Sequence, residues 1–497
     1  MKILVYIEPH PIRNSMTMFS GIFPFLKELF YSSGVDVKIY ANNETIEELQ
    51  KLNPKMNKMW FIPPVADEKC FFACQMMSWD NGGIERWIEL LNGGEIVTKY
   101  KGIMARIRNF YPFDIVITWG ENAAVTSFCD ENAVTKIAME RGCTRPPFMD
   151  SIVMDPYGTN GQAMVPQLNI QDIAYATNGK SMSAAEARFA YTDAQDMLHS
   201  QYYSSLGHTL DCWFSKNKKY AFLPLQLYDD ANLLLFSTYK SIFEIVSAVV
   251  PRLIEHGYSV IIKPHPFSGL RSNANIENLN ARYYLSRFDN KVMWCDPEKD
   301  QPSNPALFNL ADVIITVNSS VGFEALYFDK VVVPLGRAIY APQNLFPSLD
   351  YFLEHSFDEG QYRYNISILR EFFLNCYLVP NEKLSEKNYL LNRIKILDLI
   401  TKKHHGNLRE ICKDYYEIVS PLQKINRLKR TFQEMSASQF WRHISIKQKM
   451  IFWLITPIVK KMTSVDNFQR FKENPAVFFK YLKNPKYRLF GEIFFPL

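Results

Sequence analysis

The chain has 497 residues, of which 47% are hydrophobic and 22% charged, with a formal net charge of +5. That length exceeds one ordinary domain, and the composition is globular, which excludes a disordered or fibrous chain. The longest uncharged apolar run, residues 450–459, holds Pro457 and is about half a membrane span, so no transmembrane helix is expected.

Charge is spread unevenly. Residues 401–497 carry 19 Lys and Arg against 7 Asp and Glu. A basic end on a mildly acidic body suits a polyanionic partner surface. Of the eight Cys, only Cys70 and Cys74 are close, with no second pair or nearby His to complete a zinc site. They read as reduced structural thiols of a cytosolic protein. The opening run MKILVYI reaches Glu8 too soon for a signal peptide and reads as a buried strand.

Residues 1–205 read as a first α/β domain. Strands are predicted at residues 3–7, 35–40, 59–62 and 114–118, alternating with helices at 23–32, 45–52, 83–91 and 98–110. Such alternation predicts a mostly parallel sheet. Trp119 and Glu121 follow the last of these strands and either line a cleft or serve as core and helix start. Glu140-Arg141-Gly142 comes next. The stretch Asp155 to Gly161 is turn chemistry throughout, a surface loop or the flexible rim of a cleft. A helix over 183–203 leads to an interdomain connection.

Residues 218–358 read as a second α/β domain. Its strands are predicted at 220–225, 258–262, 291–294, 313–317 and 331–335, short apolar runs suited to burial on both faces. Gln226 and Asp230 follow the first, Lys263 and His265 end the second, Asn318-Ser319-Ser320 follow the fourth, and Arg337 follows the fifth. If the strands are parallel, these groups share one edge of the sheet. The serine turn and the helix it opens offer unpaired amides and a positive dipole end to a phosphate, with Glu324 one turn in and able to accept from ribose hydroxyls. The plainer alternative is that Asn318 to Ser320 only cap the helix and Glu324 is solvated.

Residues 360–497 read as a helical, basic tail, with amphipathic stretches at 389–400 and 411–419. The stretch 422–432 carries Lys424, Arg427, Lys429 and Arg430, and beyond it bulky aromatics alternate with Lys and Arg. This suits a helix lying on an anionic bilayer; the alternative is an appendage whose aromatics pack on the body. Nucleic acid is not the expected partner, because the aromatics cluster with aliphatics rather than alternating with polar groups.

Two Rossmann-like domains facing across a cleft, with an anion site in the second, are the plan of a GT-B glycosyltransferase. No Asp-x-Asp metal signature is present, since Asp229 and Asp230 are adjacent. Metal-free departure of a phosphate needs cations and helix amides, and Lys263, His265, Ser319, Ser320 and Arg337 fit that need.

Several stretches resemble the bacterial capsule polysaccharide biosynthesis proteins, and among them the retaining β-Kdo transferases. They are Lys263-Pro264-His265-Pro266, the turn and helix from Asn318 to Leu326, Leu335-Gly336-Arg337, Pro224-Leu225-Gln226 followed by Asp230, Glu140-x-Gly142, and Asp155-x-x-Gly158-x-Asn160. The resemblance covers about residues 140–340. It implies a CMP-Kdo donor, no metal or other cofactor, and a polysaccharide or lipid-linked glycan acceptor at the inner face of the cytoplasmic membrane. It implies that His265, Ser319 and Ser320 hold the CMP phosphate and Glu324 the ribose. It also implies a carboxylate nucleophile, carried to Asp230 with Asp229 as competitor. Glu140 is the candidate acid/base, or else a structural ion-pair partner; Arg141 stands where related CMP-sugar transferases have a second acid. Lys263 or Arg337 would meet the Kdo carboxylate. The alternatives are an inverting, sialyl-type CMP-sugar transferase and a non-catalytic assembly subunit.

Overall fold

The computed structural model describes residues 1–52, 60–61, 66–67, 69, 77–192, 213, 219–268, 273–288, 290–295, 302–356, 358–423, 446–462, 471, 475–480 and 487. Cys70, Cys74, residues 193–203 of the expected connecting helix, and the basic stretch from Lys424 through Arg427, Lys429 and Arg430 lie outside them. Among the described residues the strands are β1 (Lys2–Tyr6), β2 (Asp36–Tyr40), β3 (Trp60–Phe61), β4 (Ile115–Trp119), β5 (Thr135–Arg141), β6 (Ser151–Asp155), β7 (Tyr220–Pro224), β8 (Ser259–Lys263), β9 (Val292–Trp294), β10 (Val313–Thr316), β11 (Val331–Pro334) and β12 (Leu378–Pro380).

The first sheet runs β12-β6-β5-β4-β1-β2-β3. Strands β3, β2, β1, β4 and β5 are mutually parallel, and β6 and β12 are antiparallel to their neighbours. The helix Glu95–Phe110 places Ile96, Tyr100, Ile103, Met104 and Ile107 on one stripe at helical spacing. That stripe packs with Leu4 and Tyr6 of β1 and Val116 of β4 into one apolar cluster. Gly94 precedes this helix, and Asn122 caps the helix Ala123–Glu131 by accepting from the Val125 amide at 2.9 Å.

The second sheet runs β11-β10-β7-β8-β9 with every pair parallel. Strands β7 and β10 are buried along their whole length. The carboxyl ends of all five strands therefore lie along one edge, as the runs of β-branched residues lead one to expect. The fold is α/β with two Rossmann-like domains.

Two features differ from the sequence reading. Strands β5 and β6 were not anticipated. The β5 sequence TKIAMER mixes charge into the strand, but only Arg141 is exposed, with Lys136 and Glu140 half-buried. The stretch 360–497 is also not one separate tail. Residues 1–423 form one compact unit and 424–497 another. After the helix Glu359–Phe372 the chain returns to the first domain, where β12 pairs with β6 as the edge strand. The buried Arg370 ties this return to both domains, donating to the Met182 carbonyl at 2.9 Å, the Leu326 carbonyl and the Asp329 carboxylate. The amphipathic pattern of 389–400 is real, with Leu390, Leu391, Ile394 and Leu397 buried; periodicity reports a buried face but not its partner.

The second unit holds the helix Ile446–Met462 and the short helix Pro475–Lys480. Phe471 packs against Phe452, Phe478 and Phe479, with ring centroids 4.9–6.0 Å apart. Trp453, Leu454 and Ile458 stay outside this cluster and are 79%, 72% and 57% exposed. No described helix is long and apolar enough to cross a membrane.

Candidate active site

The two domains meet at the end of β7. The carboxylate of Asp229 is fully buried and accepts from Arg13 Nε at 3.1 Å and from Trp79 Nε1 at 2.9 Å. Arg13 also donates to the Asp229 carbonyl, and the neighbouring Tyr228 hydroxyl donates to Asp80 at 2.5 Å. Asp230, one residue on, points elsewhere: its Oδ1 caps the helix Ala231–Phe236 through the Asn232 amide at 2.9 Å, and it is half-buried. The adjacent acids thus divide their work, Asp229 at the domain junction and Asp230 at the head of a short helix.

Glu140, on β5 of the first domain, is near enough to Asp230 for the two charges to interact. Its carboxyl is pushed up to about 7, chiefly by burial, and the negative charges of Glu121 and Asp230 act in the same direction. The Arg141 amide, which donates to Glu140 Oε1 at 2.9 Å, and the Arg145 guanidinium oppose the shift. Arg145 also lowers the pKa of Glu324, so one exposed guanidinium on the 141–150 turn acts on carboxylates of both domains. Sequence reasoning missed Arg145; its position three residues beyond Gly142, before Pro146 and Pro147, was the available signal.

Gln226 and Asn318 bind one another. Gln226 Nε2 donates to Asn318 Oδ1 at 3.1 Å, and Asn318 Nδ2 donates to the Asn232 carbonyl at 2.8 Å. Both are buried and hold together the loops after β7 and β10. Ser319 is the N-cap of the helix Ser320–Leu326, its hydroxyl accepting from the Val321 amide at 3.3 Å, and Ser320 is half-buried at the first helical position. Gly322 is required by packing: a Cβ there would lie 1.8 Å from the Tyr340 hydroxyl. That hydroxyl donates to the Ser319 carbonyl at 3.0 Å, so the stretch after β11 buttresses the serine turn.

Lys263 is engaged within the second domain. Its ammonium donates to the Pro302 carbonyl at 2.9 Å and to Asn304 Oδ1 at 2.8 Å, and burial lowers its pKa. Asn304 in turn reaches Glu324 Oε2 at 3.5 Å. Glu324 is 6% exposed, not solvated, and its carboxyl is pushed up to about 7 by burial against the pull of Arg145 and Lys263. His265 is half-buried, and its Nδ1 accepts from the Phe267 amide at 3.1 Å. That bond leaves the neutral ring's proton on Nε2, the tautomer that donates to an anion. Arg337 is exposed, its Cβ packed beside Gly161 of the first domain.

The stretch Asp155 to Gly161 is a built rim rather than a flexible one. Glu121 accepts from the amides and side chains of Thr159 and Asn160 at 2.7–3.1 Å. Asp155 accepts from the amides of Tyr157, Gly158 and Met164 and from the Tyr377 hydroxyl. Glu121 and Trp119 are therefore structural, the latter stacked on Phe25 at 5.6 Å.

Residues 184–346 match a family model described as capsule polysaccharide biosynthesis protein. The match spans β7 to β11 and every candidate residue of the second domain. No curated protein matches the chain. Solved structures it is similar to include the KpsC β-Kdo 2,7 transferase of Thermosulfurimonas dismutans, with 14% identity over 79% of this chain and 100% of that one and a TM-score of 0.33. The KpsC β-Kdo 2,4 transferase of the same organism is 18% identical over 52% of this chain and 79% of that one, with a TM-score of 0.32. The UDP-GlcNAc 2-epimerase of Methanocaldococcus jannaschii is 12% identical over 80% of this chain and 100% of that one, with a TM-score of 0.25.

Proposed function

We propose that the chain is a glycosyltransferase of capsule polysaccharide assembly that transfers β-Kdo from CMP-Kdo to a glycan acceptor, with retention and without a metal. The observation that carries this reading is the gathering of Asp230, His265, Ser319, Ser320, Glu324 and Arg337 along one carboxyl edge of a parallel sheet. They lie within the segment that matches the capsule family model, and Glu140 of the first domain interacts electrostatically with Asp230.

Each group then has a role. His265 Nε2–H and the amides opening the helix at Ser320 take up the charge of the departing CMP phosphate. Glu324, largely protonated or ionised according to pH near 7, binds ribose hydroxyls. Arg337 and Arg145 are the exposed cations available to the Kdo carboxylate; Lys263 is committed to Pro302 and Asn304 and supports Glu324 instead. The Asp230 carboxylate attacks the anomeric carbon as the bond to the CMP phosphate breaks. Glu140 then takes the proton of the acceptor hydroxyl as that oxygen displaces Asp230, restoring the free carboxylate. Asp229, bound by Arg13 and Trp79, holds the junction on which this geometry depends. The exposed Trp453, Leu454 and Ile458, beside Lys460 and Lys461, give the second unit a face for an anionic membrane surface at the cytoplasmic side.

The test is a titration of the full chain with CMP, UDP and GDP by calorimetry. Selective CMP binding that is lost in His265→Ala supports the donor class. A preference for UDP overturns CMP-Kdo, and no nucleotide binding shifts the reading to a non-catalytic assembly subunit.

A further inference from the structure

The helix Ala274–Leu285, in the second domain, carries apolar side chains on two opposite faces. Ala274, Ala281 and Leu285 are its buried positions. Glu277, the helix's only acid, lies on the same side, and its Oε2 accepts from the Ile242 amide at 3.1 Å. Ile276, Leu279 and Tyr283 follow one another at helical spacing and fall on the opposite face. They are 56%, 65% and 84% exposed. A surface helix ordinarily turns polar groups outward, and large apolar side chains gathered opposite its buried face mark an interaction surface.

The surroundings of this face are cationic. Arg282 on the helix and Arg287 just beyond it are exposed. The half-buried Tyr284 holds the exposed Phe243 ring at 5.4 Å and the Arg287 guanidinium 4.1 Å from its own ring centre. Arg287 Nε also donates to the Tyr284 carbonyl at 2.9 Å, which fixes the root of that cation. With Glu277 drawn inward, the helix has no exposed acid.

We propose that this face rests on an anionic bilayer, with Ile276, Leu279 and Tyr283 entering the boundary between headgroups and acyl chains and Arg282 and Arg287 meeting lipid phosphates. It is a membrane contact of the first unit, separate from the one read in the helix Ile446–Met462, and it needs neither CMP nor a glycan acceptor. Charge decides the occupant. A second copy seated symmetrically on the helix would set Arg282 and Arg287 against their own counterparts, with no exposed acid on the helix to pair them. A layer of anionic headgroups has the complementary sign, and arginines reach it with their stems on apolar surface. Tyr283 suits the boundary because its ring is apolar and its hydroxyl is wet.

Co-sedimentation of the full chain with vesicles of phosphatidylglycerol and phosphatidylcholine, and with phosphatidylcholine alone, tests this. The probe is Leu279→Glu combined with Tyr283→Glu; both side chains are exposed, and thermal melting checks the fold. The expected result is a preference of the parent for the anionic vesicles, with affinity lowered about tenfold or more in the double variant and lowered further when Trp453→Glu is added. Tyr283→Ser alone, at the most exposed of the three positions, should give a smaller loss in the same direction and guards against a folding defect. Arg282→Gln with Arg287→Gln should weaken binding to anionic vesicles and leave neutral vesicles unaffected. Equal vesicle binding by the parent and the Leu279→Glu, Tyr283→Glu variant, in both the Trp453 and the Trp453→Glu backgrounds, overturns the inference, as does a parent that binds no vesicles. Unchanged anionic binding in the arginine variant overturns the choice of an anionic surface. A dimer in analytical ultracentrifugation that the glutamate variant abolishes, with vesicle binding intact, gives the face to a second copy and overturns the inference too. If Trp453→Glu leaves vesicle binding intact while the glutamate variant lowers it, the membrane role of the second unit fails and this one stands.

Discussion

Trp79 of the first domain donates its indole N–H to the Asp229 carboxylate of the second at 2.9 Å, and Arg13 Nε reaches the same oxygen at 3.1 Å. The Arg13 guanidinium also lies 5.8 Å from the Trp79 ring and 5.3 Å from the Trp87 ring, so one cation joins two indoles and a carboxylate. This junction sits one residue from Asp230, and the spacing between the domains at the cleft depends on it.

Asp229→Ala leaves a buried indole N–H unpaired and the partly buried Arg13 guanidinium with only its bond to the residue 229 carbonyl. Loss of about 2–4 kcal/mol in urea unfolding is expected. Asp229→Asn keeps an acceptor and should lose less. If both variants unfold like the parent, the junction contributes nothing to stability.

The proposed acid/base role of Glu140 predicts a pH profile. Its carboxyl lies at about 7, raised by burial and by Glu121 and Asp230. Below that pH it is protonated and cannot take the acceptor's proton, so kcat/KM should rise with pH through about 7 and level above it. Glu140→Gln should cost roughly 10²–10⁴-fold and abolish the limb. Carbon-13 titration of Asp230→Asn should show the Glu140 midpoint lowered, because a repelling charge is gone.

Glu8 predicts a stability that falls as pH rises. Its folded pKa, about 8, lies above the ordinary carboxyl value of 4.5, so the folded state binds the proton more tightly. The stabilisation is complete below about pH 4.5 and is lost as pH rises through about 8. Glu8→Gln removes the titration. Relative to the parent, the variant should gain on the order of 2–4 kcal/mol between pH 5 and pH 9, read from denaturant midpoints at both pH values. Parallel curves for the two proteins would show that Glu8 is not held protonated by the fold.

Gly322→Ala places a methyl 1.8 Å from the Tyr340 hydroxyl and 2.7 Å from the ring carbon that bears it. About 1–3 kcal/mol of destabilisation is expected from overpacking, together with weaker CMP binding as the serine turn shifts. Tyr340→Phe removes the nearer atom, so the double variant should recover part of the loss. A double-mutant cycle with no coupling between the two positions would refute this contact.

If the second unit docks on a membrane, Trp453→Glu should reduce sedimentation with anionic vesicles by about tenfold or more and leave the unfolding of residues 1–423 unchanged. Equal sedimentation by the parent with neutral and anionic vesicles would rule out a contribution from Lys460 and Lys461.

The second domain was the more legible half. Its strands are short β-branched runs, each followed by turn residues with polar side chains, and parallel pairing then brings those ends together without further information. Strands β5, β6 and β12 were not legible, because charge within β5 and the three-residue length of β12 weaken the period-two signal, and only neighbouring strands establish their place. The site divided in the same way. Asn318, Ser319, Ser320, His265 and Glu324 stand out through local chemistry, but Lys263 reads as a free cation until its bonds to Pro302 and Asn304 are seen.

By itself the sequence determined the α/β class, the parallel second sheet and the edge on which its polar groups fall, because hydrophobic period and turn chemistry are local properties. Tertiary structure alone decided which of Asp229 and Asp230 the domain junction consumes, that Arg145 acts on both Glu140 and Glu324, and that Glu8 Oε2 and the His10 ring nitrogens are buried with no hydrogen-bond partner among the described residues. Those properties depend on which groups distant in the chain approach within a few ångströms and on how much water they exclude, and neither quantity is written in the spacing of residues along the chain.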